Sequence, residues 1–230
     1  MQNIFQGIVT AIQLLLQGDP EVLRITLLSL ELSSLATVIS LVLGLPLGTF
    51  LALAHFRSQR FWISLINTGM ALPPVVVGLV VSIFLWRSGP LGDLHLIYTP
   101  WAIVIAQVLI AFPMATGLTV SALQQLDPGL QPQLLGLGAS RVQLIWSLWK
   151  EARLPLVAAL IAAFGSVISE VGASMMVGGN IEGQTRVLTT AIVLQTSRGE
   201  FSFAIALSII LLALAFLVNF ALTALQQHRK

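Results

Sequence analysis

The hydrophobic positions of this chain form five long runs that short polar segments separate. The runs cover about residues 25–54, 63–86, 101–123, 156–177 and 203–225. A helix needs roughly 20 apolar residues to cross the hydrocarbon core of a bilayer. The pattern therefore predicts an all-α, polytopic membrane protein with five transmembrane helices.

Prolines inside these runs predict irregular helices. Pro46 lies between two glycines in the first run, where we expect a bend, and Pro113 lies within the third. Pro73 and Pro74 remove two backbone donors from the second run, so we expect that helix to be broken or kinked. Membranes tolerate such breaks where the backbone faces protein or a water-filled cavity.

Two weaker apolar segments lie outside the five runs. Residues 1–20 carry four glutamines and end at Gly18-Asp19-Pro20, which predicts an outer interfacial helix, with a sixth span as the alternative. They lack the basic start of a signal peptide. Val187–Leu194 is too short to span and predicts an outer helix or a re-entrant gate. Gly178-Gly179 before it is a turn or a hinge.

The segment 126–153 is polar by the standard of this chain. Prolines and glycine break it near its start, and the apolar positions of Leu134–Leu148 then recur at helical spacing. We predict a short amphipathic helix outside the bilayer, which either connects two spans or docks a partner. Its polar side carries Ser140, Arg141, Gln143 and Lys150.

Composition excludes an ordinary soluble domain and most enzyme classes. The chain is 57% hydrophobic and 9% charged, with a mean hydropathy of +0.94. It has no cysteine and only three separated histidines, and no phosphate-binding loop motif occurs. We therefore expect no catalytic, cofactor or metal site in this chain, and no nucleic-acid partner.

The basic residues predict the orientation in the bilayer. With the N-terminus outside and the C-terminus inside, seven of the 11 basic residues face the cytoplasm and four face outward. The excess follows the positive-inside rule. The seven are Arg57, Arg60, Arg141, Lys150, Arg153, Arg229 and Lys230.

The cytoplasmic segment resembles a known signature. Gly138-Ala139-Ser140, an apolar-rich helix, a basic residue and Pro155 resemble the cytoplasmic loop of type I ABC importer permeases. Pro132–Leu134 stands where that family has Glu-Ala-Ala. The resemblance implies a permease domain over 21–226, with a coupling helix in 126–153 that contacts an ATPase. The implied contact residues are Gly136, Leu137, Gly138, Ala139, Ser140 and Arg141.

The second span, and a segment that begins within the fourth span, make the resemblance more specific. Met70–Trp86 and Val167–Phe201 resemble the molybdate, tungstate and sulfate permeases, and the latter segment is nearest to the tungstate branch. This implies a homodimer in a prokaryotic cytoplasmic membrane, two ATP-binding subunits that hold ATP and Mg²⁺, and an extracytoplasmic oxyanion-binding protein. The implied cargo is tungstate, followed by molybdate or sulfate.

Several polar residues in or near the last two spans are candidates for the pathway or its gate. An ionisable side chain such as Glu170 is costly in the membrane unless it is paired or faces water. The alternative is structural: Glu170 caps or pairs with a neighbouring helix, and the others form an ordinary outer loop. The candidates are Glu170, Gly172, Thr185, Arg186, Thr189 and Thr190.

Two other function classes remain open at the level of sequence. A secondary transporter or channel would work without an ATPase, and a membrane anchor would hold a soluble enzyme. The amphipathic Leu134–Leu148 argues against the first, and the doubled proline argues against the second. Co-purification with an ATPase separates the predicted importer from both.

The predicted topology can be tested by labelling, since the chain has no cysteine of its own. Single cysteines at Ser58 and Ser140 should react with an impermeant reagent only from the cytoplasmic side. Cysteines at Asp93 and Gln184 should react only from the outside. Reaction of the Ser140→Cys variant from outside would contradict the orientation and the docking role of this segment.

Overall fold

A computed structural model describes residues 2–54 and 56–227, and every regular element in these ranges is helical, which confirms the all-α class. A 3-10 turn at Gly92–Leu94 precedes α5. The helices are α1 (Gln2–Gln17), α2 (Pro20–Leu53), α3 (Gln59–Met70), α4 (Pro74–Leu85), α5 (Pro100–Gln124), α6 (Leu130–Gly136), α7 (Arg141–Glu151), α8 (Arg153–Ile168), α9 (Gly172–Gly178), α10 (Leu188–Ser197) and α11 (Phe201–Gln227).

Three of these helices are long and apolar enough to cross a membrane by length and composition. They are α2, α5 and α11. Two bent pairs raise the number to as many as five, namely α3 with α4 at 98° and α7 with α8 at 75°. In the second pair, α7 and α8 together count as one span. The sequence instead predicts a fourth span that contains α8 and continues into α9.

The helices α2 and α5 form the centre of the fold. Asp19 begins α2 by accepting the amides of Glu21 and Val22, each at 3.0 Å. Further along, a Cβ at Gly48 would lie 2.7 Å from the carbonyl oxygen of Thr116 on α5. Only glycine permits this backbone approach, so the small residues of the first span serve helix packing.

The doubled proline interrupts the second span as its missing donors predict. α3 ends at Met70, and α4 begins at Pro74, where a missing amide costs nothing. The carbonyl of Pro73 accepts the amides of Val76 and Val77, at 2.9 and 3.3 Å. The break is therefore sharp and leaves few unpaired groups.

The fourth span differs from the single helix predicted over 156–177. α8 ends at Ile168 and α9 begins at Gly172, although no proline marks the site. Glu170 causes the break, because its carboxylate takes the amides that would otherwise continue the helix. Gly179 ends α9 with a positive φ of 69°, so this glycine forms a turn that closes the helix.

The prediction of one helix over Leu134–Leu148 is wrong. α6 and α7 are separate, and Gly138 between them has a φ of 83°, which no continuous helix accommodates. The Ser140 hydroxyl accepts the amide of Gln143, and the Gln143 side chain accepts the amide of Ser140. This capping box fixes the start of α7.

The first helix packs along the last. α1 ends before Gly18, and a Cβ at Gly7 would collide with Ile205 on α11. The choice between an interfacial α1 and a sixth span stays a prediction. α10 corresponds to the short helix predicted from the apolar stretch Val187–Leu194.

Candidate functional site

The two broken spans touch each other beside their breaks. A Cβ at Gly172 would lie 2.5 Å from Cγ2 of Val75, and a Cβ at Gly78 would lie 2.5 Å from Cα of Ala173. The start of α9 therefore lies directly against α4. Glycines at positions 78 and 172 make this contact possible, and the predicted candidate Gly172 is part of it.

Glu170 is buried at this junction, with 5% of its surface exposed. One carboxylate oxygen, Oε1, accepts the amide of Ala173 at 2.6 Å. The other, Oε2, accepts the amide and the hydroxyl of Ser174 at 2.9 and 2.8 Å. These groups are the free donors at the start of α9, where the helix dipole also favours a negative charge.

Of the two structural roles expected for Glu170, the geometry shows the helix cap and not the pairing with a neighbour. Its carboxylate bonds to the next helix of its own span, not to a neighbouring helix. The neighbour is held instead by the Glu170 carbonyl, which accepts the hydroxyl of Thr189 on α10 at 2.8 Å. Two of the predicted site residues, Glu170 and Thr189, thus meet directly.

The start of α10 is anchored on a second side. The amide of Leu188 donates to the hydroxyl of Ser29 on α2 at 2.8 Å. The Thr190 hydroxyl bonds within its own helix start: it accepts the amide of Val187 and donates to the carbonyl of Val187. α10 is therefore tied both to α2 and to the break between α8 and α9.

The remaining candidates shape the loop before α10. The Thr185 hydroxyl donates to the carbonyl of Gly178 and accepts the amide of Ile181, and Thr185 is fully buried. Arg186 is 8% exposed and pairs with Glu21 at 2.9 Å and with Glu182 at 3.3 Å. These residues fix the loop on the start of α2.

The segment 136–141 has the opposite character, because it projects from the helices. Gly136, Gly138 and Arg141 are exposed, and a Cβ at Gly138 would meet nothing within 4 Å. Gly138 is thus required here by backbone conformation, not by close packing within this chain. Large apolar side chains flank the turn on its outer side: Leu137, Val142 and Trp146 are 85%, 78% and 60% exposed.

The inner side of α7 is fastened to the spans. Leu144 and Leu148 are buried against Ala122 and Leu123 of α5. The indole nitrogen of Trp149 donates to the hydroxyl of Thr49 on α2 at 2.9 Å. A displacement of the turn would therefore be transmitted directly to α2 and α5.

Sequence reasoning missed four residues of this arrangement, namely Ser29, Val75, and Thr49 with its partner Trp149. Ser29 and Thr49 are common hydroxyl residues in a membrane helix, and the apolar pattern gives no sign of their contacts. For the contact between α4 and α9, the small residues at Gly78 and Gly172 are the signal of close packing in the sequence.

Comparison with known proteins gives a family match over most of the chain. The family described as binding-protein-dependent transport system inner membrane component matches residues 44–230. The tungstate uptake permease TupB of Peptoclostridium acidaminophilum is 41% identical, over 99% of this chain and 100% of that protein. TupB of Campylobacter jejuni is 33% identical over 96% of this chain and 92% of its own length.

More distant relatives share the architecture. The molybdenum permease ModB of Escherichia coli K12 is 31% identical over 86% of this chain and 90% of that protein. A solved bacterial ABC transporter that imports the polysaccharide alginate superposes with a TM-score of 0.77 at 16% identity, over 98% of this chain and 84% of that one. The chain therefore has the type I ABC importer permease fold.

The tie between α10 and the helix break is open to a direct test. Thr189→Val removes the hydroxyl but keeps the shape, and it leaves the buried Glu170 carbonyl without this donor. We expect a loss of about 1 kcal/mol, or about 2–4 °C in the midpoint of thermal unfolding. Thr189→Ser should keep most of the stability.

Thr196→Val is the matched control in the same helix, because the exposed Thr196 hydroxyl bonds only to the carbonyl of Ile192. It should leave the unfolding midpoint within about 1 °C of wild type. Equal midpoints for the Thr189→Val and Thr196→Val variants would contradict the tie.

Proposed function

Because this chain belongs to the family of binding-protein-dependent transport system inner membrane components, we propose that it is the tungstate-translocating subunit of an ABC importer. Members of this family lie in the inner membrane and are not themselves catalytic. The observation that carries the choice of cargo is the 41% identity to a tungstate uptake permease over the whole chain.

In this proposal, two partner subunits hydrolyse ATP, and they bind this chain at the turn 136–141. Support comes from the exposed Leu137, Val142 and Trp146, which an aqueous surface does not favour unless a partner covers them. Arg141 lies beside them at the start of α7 and is also exposed. The turn is held by the backbone amides of Gly138 and Ala139, which donate to the carbonyls of Leu135 and Leu134, and by the capping box.

A second copy of the chain completes the importer in this proposal. The pathway then runs between the two copies, and a soluble binding protein delivers the oxyanion to the outer surface. The junction of the two broken spans is the candidate constriction. Residues 180–187 and α10 close its outer side, because Thr189 ties α10 to the junction, Ser29 ties α10 to α2, and Arg186 pairs with Glu21 on α2.

Molybdate is the second candidate cargo. The relationship to ModB favours it, at the lower identity of 31%. Tungstate and molybdate are both tetrahedral dianions of similar size, so contacts within the membrane discriminate poorly between them. The proposal therefore places the choice in the binding protein, and sulfate remains a weaker alternative of the same class.

Uptake by the reconstituted complex tests the cargo. Proteoliposomes should contain this chain and its cognate ATP-binding subunit, and the binding protein is added with them. They should accumulate tungstate only when ATP is supplied on the side of the membrane that carries the ATP-binding subunits. Equimolar molybdate should reduce tungstate uptake less than twofold. Uptake of molybdate with no uptake of tungstate would reject the tungstate assignment, and ATP-independent uptake would reject the importer.

Substitutions in the turn test the docking site. Gly138→Trp places a large side chain at the proposed contact and should abolish co-purification of the ATPase and ATP-driven uptake. Gly138→Asn is the matched control, because asparagine tolerates a positive φ and adds little bulk. Arg141→Glu should weaken the complex in a salt-dependent manner. Normal ATPase binding by the Gly138→Trp variant would place the docking site elsewhere.

A further inference from the structure

Helix α3 presents a polar face that no part of the described chain covers. None of its residues is buried. At 100° per residue, four of them and the residue that follows the helix, Ala71, fall within an arc of about 100°, and we call this arc the polar stripe. The same residues, together with Ile63, line an open groove of about 560 Å³. The polar stripe comprises Arg60, Ser64, Asn67, Thr68 and Ala71.

The rest of α3 has two other faces. Phe61, Leu65 and Leu72 are exposed apolar residues to one side of the polar stripe, as a lipid-facing surface requires. The third face packs on α5, where a Cβ at Gly69 would lie 2.9 Å from Pro113. The polar stripe therefore lies on a third side of α3, between the face that packs on α5 and the apolar face.

Contacts with α5 give the depth of the polar stripe in the membrane. A Cβ at Gly117 would lie 3.5 Å from Oδ1 of Asn67. Gly117 lies seven residues before Gln124, the end of a helix long enough to cross the membrane. That is about 10 Å along the axis. Asn67 is thus below the headgroup level rather than at the membrane surface.

Polar side chains at this depth do not face hydrocarbon, because unpaired donors there cost several kcal/mol. The Thr68 hydroxyl donates to the Ser64 carbonyl at 2.9 Å. The Asn67 amide forms no hydrogen bond, and Arg60 no ion pair, within residues 2–54 and 56–227. A polar face at this depth requires a polar or hydrated neighbour, which a water-filled space between two copies of the chain would provide.

The chemistry of the groove fits an anion. Its lining offers one guanidinium, two hydroxyl groups and one amide, and it contains no carboxylate. The cavity at the start of α2 differs, since Glu21 and Glu182 are part of its lining beside Arg186. A tetrahedral oxyanion that leaves bulk water needs hydrogen-bond donors and a cation, and the polar stripe supplies both.

We propose that the polar stripe lines the cytoplasmic half of the oxyanion path. Ser64 and Asn67 replace part of the hydration shell of the anion, and Arg60 attracts it toward the exit. Ala71 ends the polar stripe at the proline break, where Val75 contacts Gly172. The path therefore begins directly at the junction of the two broken spans. The inference rests on the proposed function of the chain as an oxyanion importer subunit.

Cysteine reactivity tests the position of the polar stripe without reference to any substrate. In the complete complex, Asn67→Cys and Thr68→Cys should react with a charged thiol reagent from the cytoplasmic side. Leu65→Cys on the apolar face should react at least about tenfold more slowly, since the reactive thiolate needs water. Equal reactivity on the two faces would overturn the proposal.

Transport by variants tests the role of the polar groups. Asn67→Leu should lower tungstate uptake about tenfold, which is the effect of losing one hydrogen bond to the charged anion. Arg60→Glu should lower it at least as far, and Arg60→Lys should restore most of it. Leu65→Ala, on the apolar face, is the control that should transport normally with the same amount of bound ATPase.

The outcomes separate this inference from the proposed function. Wild-type uptake by the Asn67→Leu and Arg60→Glu variants would overturn the polar stripe while the importer assignment stood. If the wild-type complex moved no oxyanion at all, the proposed function would fail first, and the labelling contrast between the two faces of α3 would still support or reject a hydrated path.

Discussion

Backbone amides at a helix break inside a membrane must find partners within the protein, because the bilayer supplies none. This chain solves that problem twice at one place. At the break between α3 and α4, prolines remove the amides and the Pro73 carbonyl accepts two of those that follow. At the break between α8 and α9, the Glu170 carboxylate accepts two amides and a hydroxyl. Glycines then let the two breaks pack against each other.

The same constraint explains how a buried carboxylate is compatible with the passage of anions. The charge of Glu170 is directed at the amides of Ala173 and Ser174 and at the positive end of a helix dipole, so it is largely satisfied within the protein. The donors available to an oxyanion lie elsewhere, on the polar stripe of α3. The outer loop, α10 and the cytoplasmic turn are each fastened to the junction or to the helices beside it, so rearrangement at either surface would be transmitted to the junction.

Much of the fold could be predicted from the chain, since apolar runs and prolines act locally. The break at Pro73-Pro74 follows from two missing donors. The break at Glu170 could not be predicted in this way, because it depends on a side chain reaching amides three and four residues ahead. The separation of α6 from α7 depends on one left-handed glycine at position 138. The contacts of Thr189 with Glu170 and of Leu188 with Ser29 join residues 19 and 159 positions apart, which no local pattern reveals.

Amide hydrogen exchange in residues 172–178 of the assembled complex tests the capped break most directly. We predict that the amides of Ala173 and Ser174 exchange slowly in the wild-type protein. In the Glu170→Leu variant they should exchange at least about tenfold faster, because each amide loses a hydrogen-bond partner worth more than about 1 kcal/mol. Exchange within α2 should be unchanged, and Glu170→Gln should lie between the two. If the two amides exchange at the same rate in the wild-type protein and the Glu170→Leu variant, the Glu170 carboxylate does not cap α9.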